Sequence, residues 1–312
     1  MILKELKPQI QKFKEKVVQA KRILIVAHEK PDGDAIGSCL GMRVALQALG
    51  KEAEVAMVDR PPEAFSFLPY FFTIKDSFSP FDFDMAVILD CGNWERTGFF
   101  EDVELNIDWP DSLVVVDHHA VQTLSPGIHI LSTQAASTTQ LIYYICQEWG
   151  VDISRDLATC LLTGLSTDTG SFKHSNTDAE VFRVASKLME AGASLNKIAG
   201  HIYMYNKPSK LKLWGTVLSK LQQDKELGIV LSVVTAEDLE KCESRVDELE
   251  GVIDLMNSVP GMKATMLFSQ RDKGYKVSLR TESDDVDVSK LASIFGGGGH
   301  IKAAGFIVDS LQ

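Results

Sequence analysis

Arg22–Ala27 (RILIVA) runs straight into His28-Glu29-Lys30-Pro31-Asp32-Gly33-Asp34, and the reading of that junction decides the fold. A short, nearly continuous apolar run reads as a strand of a parallel sheet, buried on both faces. The polar residues then form the turn beyond the strand's carboxyl end. Ala35–Leu49 (AIGSCLGMRVALQAL) follows with helical periodicity and stops at Gly50. The same junction recurs twice: Met85–Leu89 (MAVIL) leads into Asp90, and Leu113–Val116 (LVVV) leads into Asp117-His118-His119. A further acid, Asp168, stands in Thr167-Asp168-Thr169-Gly170. In open parallel sheets ligands bind beyond the carboxyl ends of the strands. Three strand ends therefore deliver aspartates and histidines to one rim, and so many carboxylates need a positive charge among them.

The surrounding pattern fits this reading. Strand-like runs at 22–27, 53–58, 85–89 and 113–117 alternate with helical ones, and 136–165 and 178–205 are largely helical. Strands resume at 228–234, 264–269, 275–281 and 304–308, interrupted by helical stretches at 236–257 and 287–294. The expected fold class is α/β: a mostly parallel sheet with flanking helices, plus a smaller α/β C-terminal domain with a mixed sheet. Boundaries are expected at 1–195 for the first domain, 196–222 for a helical linker and 223–312 for the second, with the active site in the interdomain cleft.

Composition narrows the function. The 312 residues are 45 % hydrophobic and 24 % charged, ordinary for a globular protein. A net charge of −11 is a poor match for long duplex nucleic acid, which calls for a broad basic surface. Residues 261–312 depart from this balance, with seven basic and six acidic side chains. No apolar run is long enough to span a bilayer. The N-terminal MILKELKPQIQKFKEKVVQAK is charged throughout and reads as an amphipathic surface helix. Five cysteines are scattered singly, with neither zinc-ligand spacing nor an even count, so a reducing cytoplasm is expected.

The candidate site residues form one pool of two imidazoles and four carboxylates: His28, His118, Asp32, Asp34, Asp90 and Asp168. Taken singly, Asp32 and Asp34 could be helix N-caps and His118-His119 a packed pair. Six such residues at four strand or turn ends are not all incidental. Mixed nitrogen and oxygen donors without cysteine favour Mn²⁺, with Mg²⁺ or Co²⁺ as substitutes. Donors suffice for two ions sharing a carboxylate, which at about 3.5–4 Å apart would clamp an in-line displacement at phosphorus. In the second domain, Gly296–Gly299 let a backbone approach an anion, His300 adds a donor, and Arg280 can grip a phosphate.

These residues closely resemble the DHH phosphoesterases, named for a motif standing here as Asp117-His118-His119. The resemblance covers nearly the whole chain through HEKPDGDAIGS (28–38), ILDCGN (88–93), VVDHH (115–119) and GLSTDTGSF (164–172). VSLRT (277–281) and GGGGHIKAAGF (296–306) resemble the DHHA1 domain. The resemblance implies one ion on His28, Asp32 and Asp90 and another on Asp34, Asp90, His118 and Asp168. Asp117 would orient a histidine, His119 would face the substrate phosphate or protonate the leaving group, and Arg96 would lie near the substrate. Where relatives often carry Glu, Gln140 stands here, so a changed structural hydrogen bond is expected rather than a lost ligand.

The compact two-domain architecture is similar to oligoribonucleases that also dephosphorylate 3′-phosphoadenosine 5′-phosphate. The implied activity is hydrolysis of short RNA to mononucleotides, and of 3′-phosphoadenosine 5′-phosphate to AMP, by two-metal activation of a bridging hydroxide. The partners would be short single-stranded RNA or small phosphorylated nucleotides, with no long duplex and no membrane. One alternative is hydrolysis of linear dinucleotides such as pApA. Another, from a different class, is a nucleotide-binding sensor without turnover.

Overall fold

A computed structural model describes residues 2–99, 112–120, 126–204, 207–249, 251–283 and 285–310. The chain divides into two units, Met1–Tyr205 and Asn206–Gln312.

Among the described residues, the first unit is built on five strands: β1 (Arg22–Ala27), β2 (Glu52–Ala56), β3 (Met85–Leu89), β4 (Leu113–Asp117) and β5 (Ile128–Leu131). All pair in parallel, in the order β2-β1-β3-β4-β5. β3 and β4 are buried at every position, as their unbroken apolar runs require. In β1, Ile23, Ile25 and Ala27 face one core while Leu24 and Val26 face another. This is the two-residue alternation of a sheet covered on both sides.

Most of the helices share the first face. They are α1 (Ile2–Gln19), α2 (Gly33–Ala48), α3 (Thr138–Trp149), α4 (Arg155–Asp168), α5 (Ala179–Glu190) and α6 (Leu195–Ala199). Among the described residues the opposite face is covered largely by aromatic side chains from loops. Phe78 stands edge-on to Phe83, Trp94 and Phe99 there. The amphipathic reading of the N-terminal helix corresponds to Leu6, Ile10, Phe13 and Val17 of α1, all buried at helical spacing. α2 and α4 approach closely because Gly33, Gly37 and Gly41 recur every fourth residue along α2. A Cβ at Gly37 would lie 2.6 Å from the Cys160 carbonyl oxygen, and one at Gly33 would lie 2.4 Å from Thr167 Cγ2.

The stretch 196–222, expected as a linker, is divided between the units. Gly200–Met204 continues from α6 as a π-helical turn, residues 205 and 206 lie outside the described residues, and α7 (Pro208–Ser219) belongs to the second unit. Leu213 and Val217 of α7 are buried with Val230 and Val252, so this helix is part of a core.

The second unit holds β6 (Gln222–Asp224), β7 (Ile229–Val234), β8 (Ala264–Gln270), β9 (Tyr275–Arg280), β10 (Gly298–His300) and β11 (Ala303–Val308). Their order is β10-β11-β9-β8-β7-β6, with β7 and β8 parallel and the other pairs antiparallel. The helical stretch expected at 236–257 is broken into α8 (Ala236–Lys241), a short 3-10 turn and α9 (Val252–Met256). Glu243 at φ +52° and Gly251 at φ +89° interrupt it. α10 (Val288–Ile294) packs against β9 and β11. Among the described residues, no helix is long and apolar enough to cross a membrane.

Candidate metal and phosphoester site

The strand order explains the site. β3 lies between β1 and β4, so Asp90, just after β3, stands between His28 after β1 and His118 after β4. His28 Nε2 is 3.5 Å from Asp90 Oδ2, and His118 Nε2 is 3.6 Å from Asp90 Oδ1. Asp32 is the N-cap of α2, its Oδ1 accepting from the Asp34 and Ala35 amides at 3.0 and 3.1 Å. Its ordinary capping role and a place in the cluster are thus compatible. Asp34 lies two residues further on, in the first turn of α2, and is fully buried. α4 brings Asp168 Oδ2 to 3.0 Å from His118 Nε2.

Two groups of donor atoms gather here, His28-Asp32-Asp90 and Asp34-His118-Asp168, each with its atoms within 4.8 Å of one another. These six residues are those singled out in the sequence. A third group joins Asp90 and His118 to His119. His119 Nδ1, however, lies only 2.8 Å from Asp117 Oδ1, which also accepts from the His119 amide at 3.0 Å. The acid that orients a histidine is therefore Asp117, and the histidine is its neighbour two residues on.

The electrostatics call for a cation. Burial drives the Asp90 and Asp168 carboxyls well above the usual range, and the charge of Asp34 adds to both; Asp34 is itself raised by burial. Burial opposes the His28 imidazolium, but Asp90, the Glu29 carbonyl and Asp32 outweigh it and raise His28 to about 9. Asp117 goes the other way. Burial would raise it, but hydrogen bonds from the His119 ring and amide hold it low. Carboxylates so close and so buried stay ionised only beside positive charge, which imidazolium protons or a divalent ion can supply. The donor geometry fits an ion. His118 Nε2 is buried with no hydrogen-bond partner despite facing two carboxylates. His28 Nδ1–H donates to the Glu29 carbonyl at 2.7 Å, which turns Nε2 to the acids.

Asp90 adopts φ +61°. A non-glycine residue in that region costs about 1–3 kcal/mol and persists only where its surroundings hold it. The Asp90 amide donates to the Val116 carbonyl at 3.0 Å, and Thr138 Oγ1 donates to its carboxylate at 3.0 Å.

Gln140, where a glutamate was expected from resemblance, serves the backbone. Its Oε1 accepts from the Ala136 amide at 2.8 Å and its Nε2 donates to Tyr144 Oη at 3.1 Å. Arg96 is exposed, and its carbonyl accepts from the Glu29 amide at 2.9 Å, so its loop lies against the first motif.

In the second unit, Arg280 Nε donates to Asp254 Oδ1 at 3.1 Å, so its guanidinium is already held by one acid. In the glycine run, too, the first two amides are already engaged. The Gly297 amide donates to the Ala292 carbonyl and the Gly296 amide, at φ +73°, to the Ser293 carbonyl. These two bonds close the end of α10 as a Schellman motif and occupy both amides. Gly298, Gly299 and His300 form β10, exposed along the sheet edge. Phe295, immediately before the run, is half exposed and stacks on Phe306 at 4.6 Å. Sequence reasoning singled out no aromatic.

Fold and cluster together define a carboxylate–imidazole centre at the rim of a parallel sheet, of a kind that holds divalent cations. Residues 22–165 match the DHH family, N-terminal domain, and residues 227–312 match the DHHA1 domain. The chain is 32% identical over 291 residues to the bifunctional oligoribonuclease and PAP phosphatase NrnA of Thermus thermophilus, spanning 93% of this chain and 85% of that protein. It is 25% identical over 286 residues to the Bacillus subtilis protein of the same name, spanning 91% and 88%. A crystal structure of an exopolyphosphatase-related protein from Bacteroides fragilis matches with a TM-score of 0.91 at 27% identity, over 98% of this chain and 92% of that one. The chain belongs to the DHH family and carries a DHHA1 domain.

Proposed function

We propose that this protein is a Mn²⁺-dependent phosphoester hydrolase that degrades short single-stranded RNA to mononucleotides and dephosphorylates 3′-phosphoadenosine 5′-phosphate. The observation that carries the reading is the pair of donor groups on either side of Asp90, in a chain similar over nearly all its length to relatives named for those two activities. His28, Asp32 and Asp90 would hold one ion; Asp34, Asp90, His118 and Asp168 would hold the other. When bound, such ions supply Lewis acidity at the scissile phosphate and an ionised water at neutral pH.

The remaining chemistry falls to the chain's own groups. Asp117 fixes the His119 ring through Nδ1, which leaves Nε2 to bind the scissile phosphate or to hand a proton to the departing ribose oxygen. In the second unit Arg280, oriented by Asp254, takes a substrate phosphate, and Gly298, Gly299 and His300 offer a surface that a phosphate or ribose can approach closely. Phe295, backed by Phe306, is a stacking platform for a base of any identity. Five buried free cysteines suit a reducing, cytoplasmic setting.

The test is hydrolysis, with added Mn²⁺, of a panel: a 5′-phosphorylated RNA dinucleotide, an RNA pentamer, 3′-phosphoadenosine 5′-phosphate, pApA and pyrophosphate. Mononucleotides from the RNAs and AMP from the phosphoadenosine, with pyrophosphate intact, support the proposal. Cleavage of pyrophosphate alone refutes the substrate assignment, and nucleotide binding without turnover refutes the enzymatic one.

A further inference from the structure

We propose that the first turn of α3 is the positioning element of this centre, with Thr138 setting Asp90 and with Thr139, together with the Thr138 amide, setting Asp34. The inference rests on the metal-dependent reading above and concerns residues that carry no charge and lie 48 to 105 positions from the acids they hold.

The first amides of a helix have no partner inside it. At α3 the buried carboxylate of Asp34 takes two of them. Its Oδ2 accepts from the Thr138 amide at 2.6 Å, and its Oδ1 accepts from the Thr139 amide at 3.1 Å and from Thr139 Oγ1 at 2.8 Å. The hydroxyl chain has a fixed direction. Ser137 Oγ accepts from the Gln140 amide at 3.1 Å and lies 2.8 Å from Thr139 Oγ1. Since the Thr139 proton goes to Asp34, Ser137 donates to Thr139. Thr138 Oγ1 meanwhile donates to Asp90 Oδ1 at 3.0 Å. Ser137, Thr138 and Thr139 are fully buried, so water is no substitute for these donors.

Counting lone pairs gives the two acids different tasks. A carboxylate has about four acceptor directions. Three of Asp34's are filled, which leaves one, enough for a single cation. Asp90 has given one to Thr138 and keeps three, enough to serve two cations. The threonines thus make Asp34 a terminal donor and leave Asp90 free to be the shared one.

The turn is itself braced. Gln140 Nε2 donates to Tyr144 Oη, which donates to Glu180 Oε1 at 2.9 Å on α5. Asn176 Nδ2 lies 3.2 Å from both the Ala136 and Asp168 carbonyl oxygens, tying the start of this turn to the acid at the end of α4.

The experiment measures Mn²⁺ binding by titration calorimetry to the metal-free full chain, with substrate kinetics alongside. Thr138→Val removes the hydroxyl and keeps the shape. It should weaken Mn²⁺ binding about 10–100-fold, the usual effect of losing a group that orients a ligand. At saturating Mn²⁺ it should lower kcat while leaving KM within about twofold. Thr138→Ser should restore affinity to within about threefold. Asn176→Ala, at an exposed position, keeps the test decisive if Thr138→Val does not fold; it should weaken Mn²⁺ binding about threefold to tenfold. Wild-type Mn²⁺ affinity in Thr138→Val, failure of Thr138→Ser to rescue, or an unchanged Asn176→Ala where Thr138→Val is unfolded overturns the proposal. A wild-type chain that takes up no Mn²⁺ instead overturns the metal-dependent reading beneath it.

Discussion

Gly164 is the place where packing and chemistry meet. A Cβ built there lies 2.5 Å from Asp34 Oδ1, 2.5 Å from Thr139 Cγ2 and 2.8 Å from Thr139 Oγ1. Ordinary contacts begin near 3.4 Å, so Gly164→Ala forces a displacement of about 1 Å. Neither neighbour is free to yield, because Asp34 and Thr139 are bonded to each other. Over-packing costs about 1–3 kcal/mol, and loss of a hydrogen bond to a charged group about 1.5–3 kcal/mol. Better helix propensity returns up to about 1 kcal/mol. The net expectation is a loss of about 1.5–6 kcal/mol in urea unfolding, together with weaker Mn²⁺ binding through a displaced Asp34. Gly215→Ala is the internal control. A Cβ there meets nothing within 4 Å in α7, so the same change should stabilise by about 0.5–1 kcal/mol. Unfolding and Mn²⁺ affinity unchanged in Gly164→Ala would refute the claim that close α2–α4 packing shapes the site.

Three further expectations follow from the same geometry. Arg280→Ala should raise KM for an RNA dinucleotide with little change in kcat, because it acts in binding; an unchanged KM contradicts the role given to Arg280. Phe295→Ala should raise KM for the dinucleotide while sparing a phosphodiester without a base, and equal effects on both would remove the stacking role. Asp238→Asn should destabilise the fold by about 1–3 kcal/mol at pH 7, since Asp238 caps α8 through Thr235 and receives Lys220 Nζ at 2.5 and 2.6 Å. Burial works against the ionised Asp238, but Lys220 and Thr235 outweigh it and hold the carboxyl below its ordinary 3.8. That contribution is complete above the ordinary value and is lost as pH falls through the lowered one. The wild-type advantage in urea midpoint should persist down to about pH 4 and shrink only below it; an advantage that fades between pH 7 and pH 5 would contradict the assignment.

The sheet was legible because its strands are buried on both faces and end abruptly in ionisable side chains, as at Ala27-His28 and Leu89-Asp90. Five of the six clustered residues were legible for the same reason, since a parallel sheet sends such ends to one rim; Asp168 instead ends α4 and stood out by its place beside Gly170. What holds them was not. Thr138 and Thr139 reach Asp90 and Asp34 across 48 and 105 residues, and a threonine at the start of a helix has a sufficient local explanation. The short strands β5, β6 and β10 escaped notice because pairing rather than composition makes them strands; β10 is Gly298-Gly299-His300. The glycine run was legible as a place of close approach, but the helix claims the amides of Gly296 and Gly297. The stretch 236–257 has helical periodicity, which the backbone at Glu243 and Gly251 overrides.

The most direct test of the central claim compares wild type with Asp90→Ala for Mn²⁺ bound per chain and for turnover of a 5′-phosphorylated RNA dinucleotide in the same preparations. Two ions per wild-type chain, with mononucleotides released, and loss of both ions together with a fall in turnover of more than about 100-fold in Asp90→Ala, exceeding what loss of an orienting group costs, is the outcome expected of a shared ligand. An Asp90→Ala chain that keeps two ions and wild-type turnover would contradict the account.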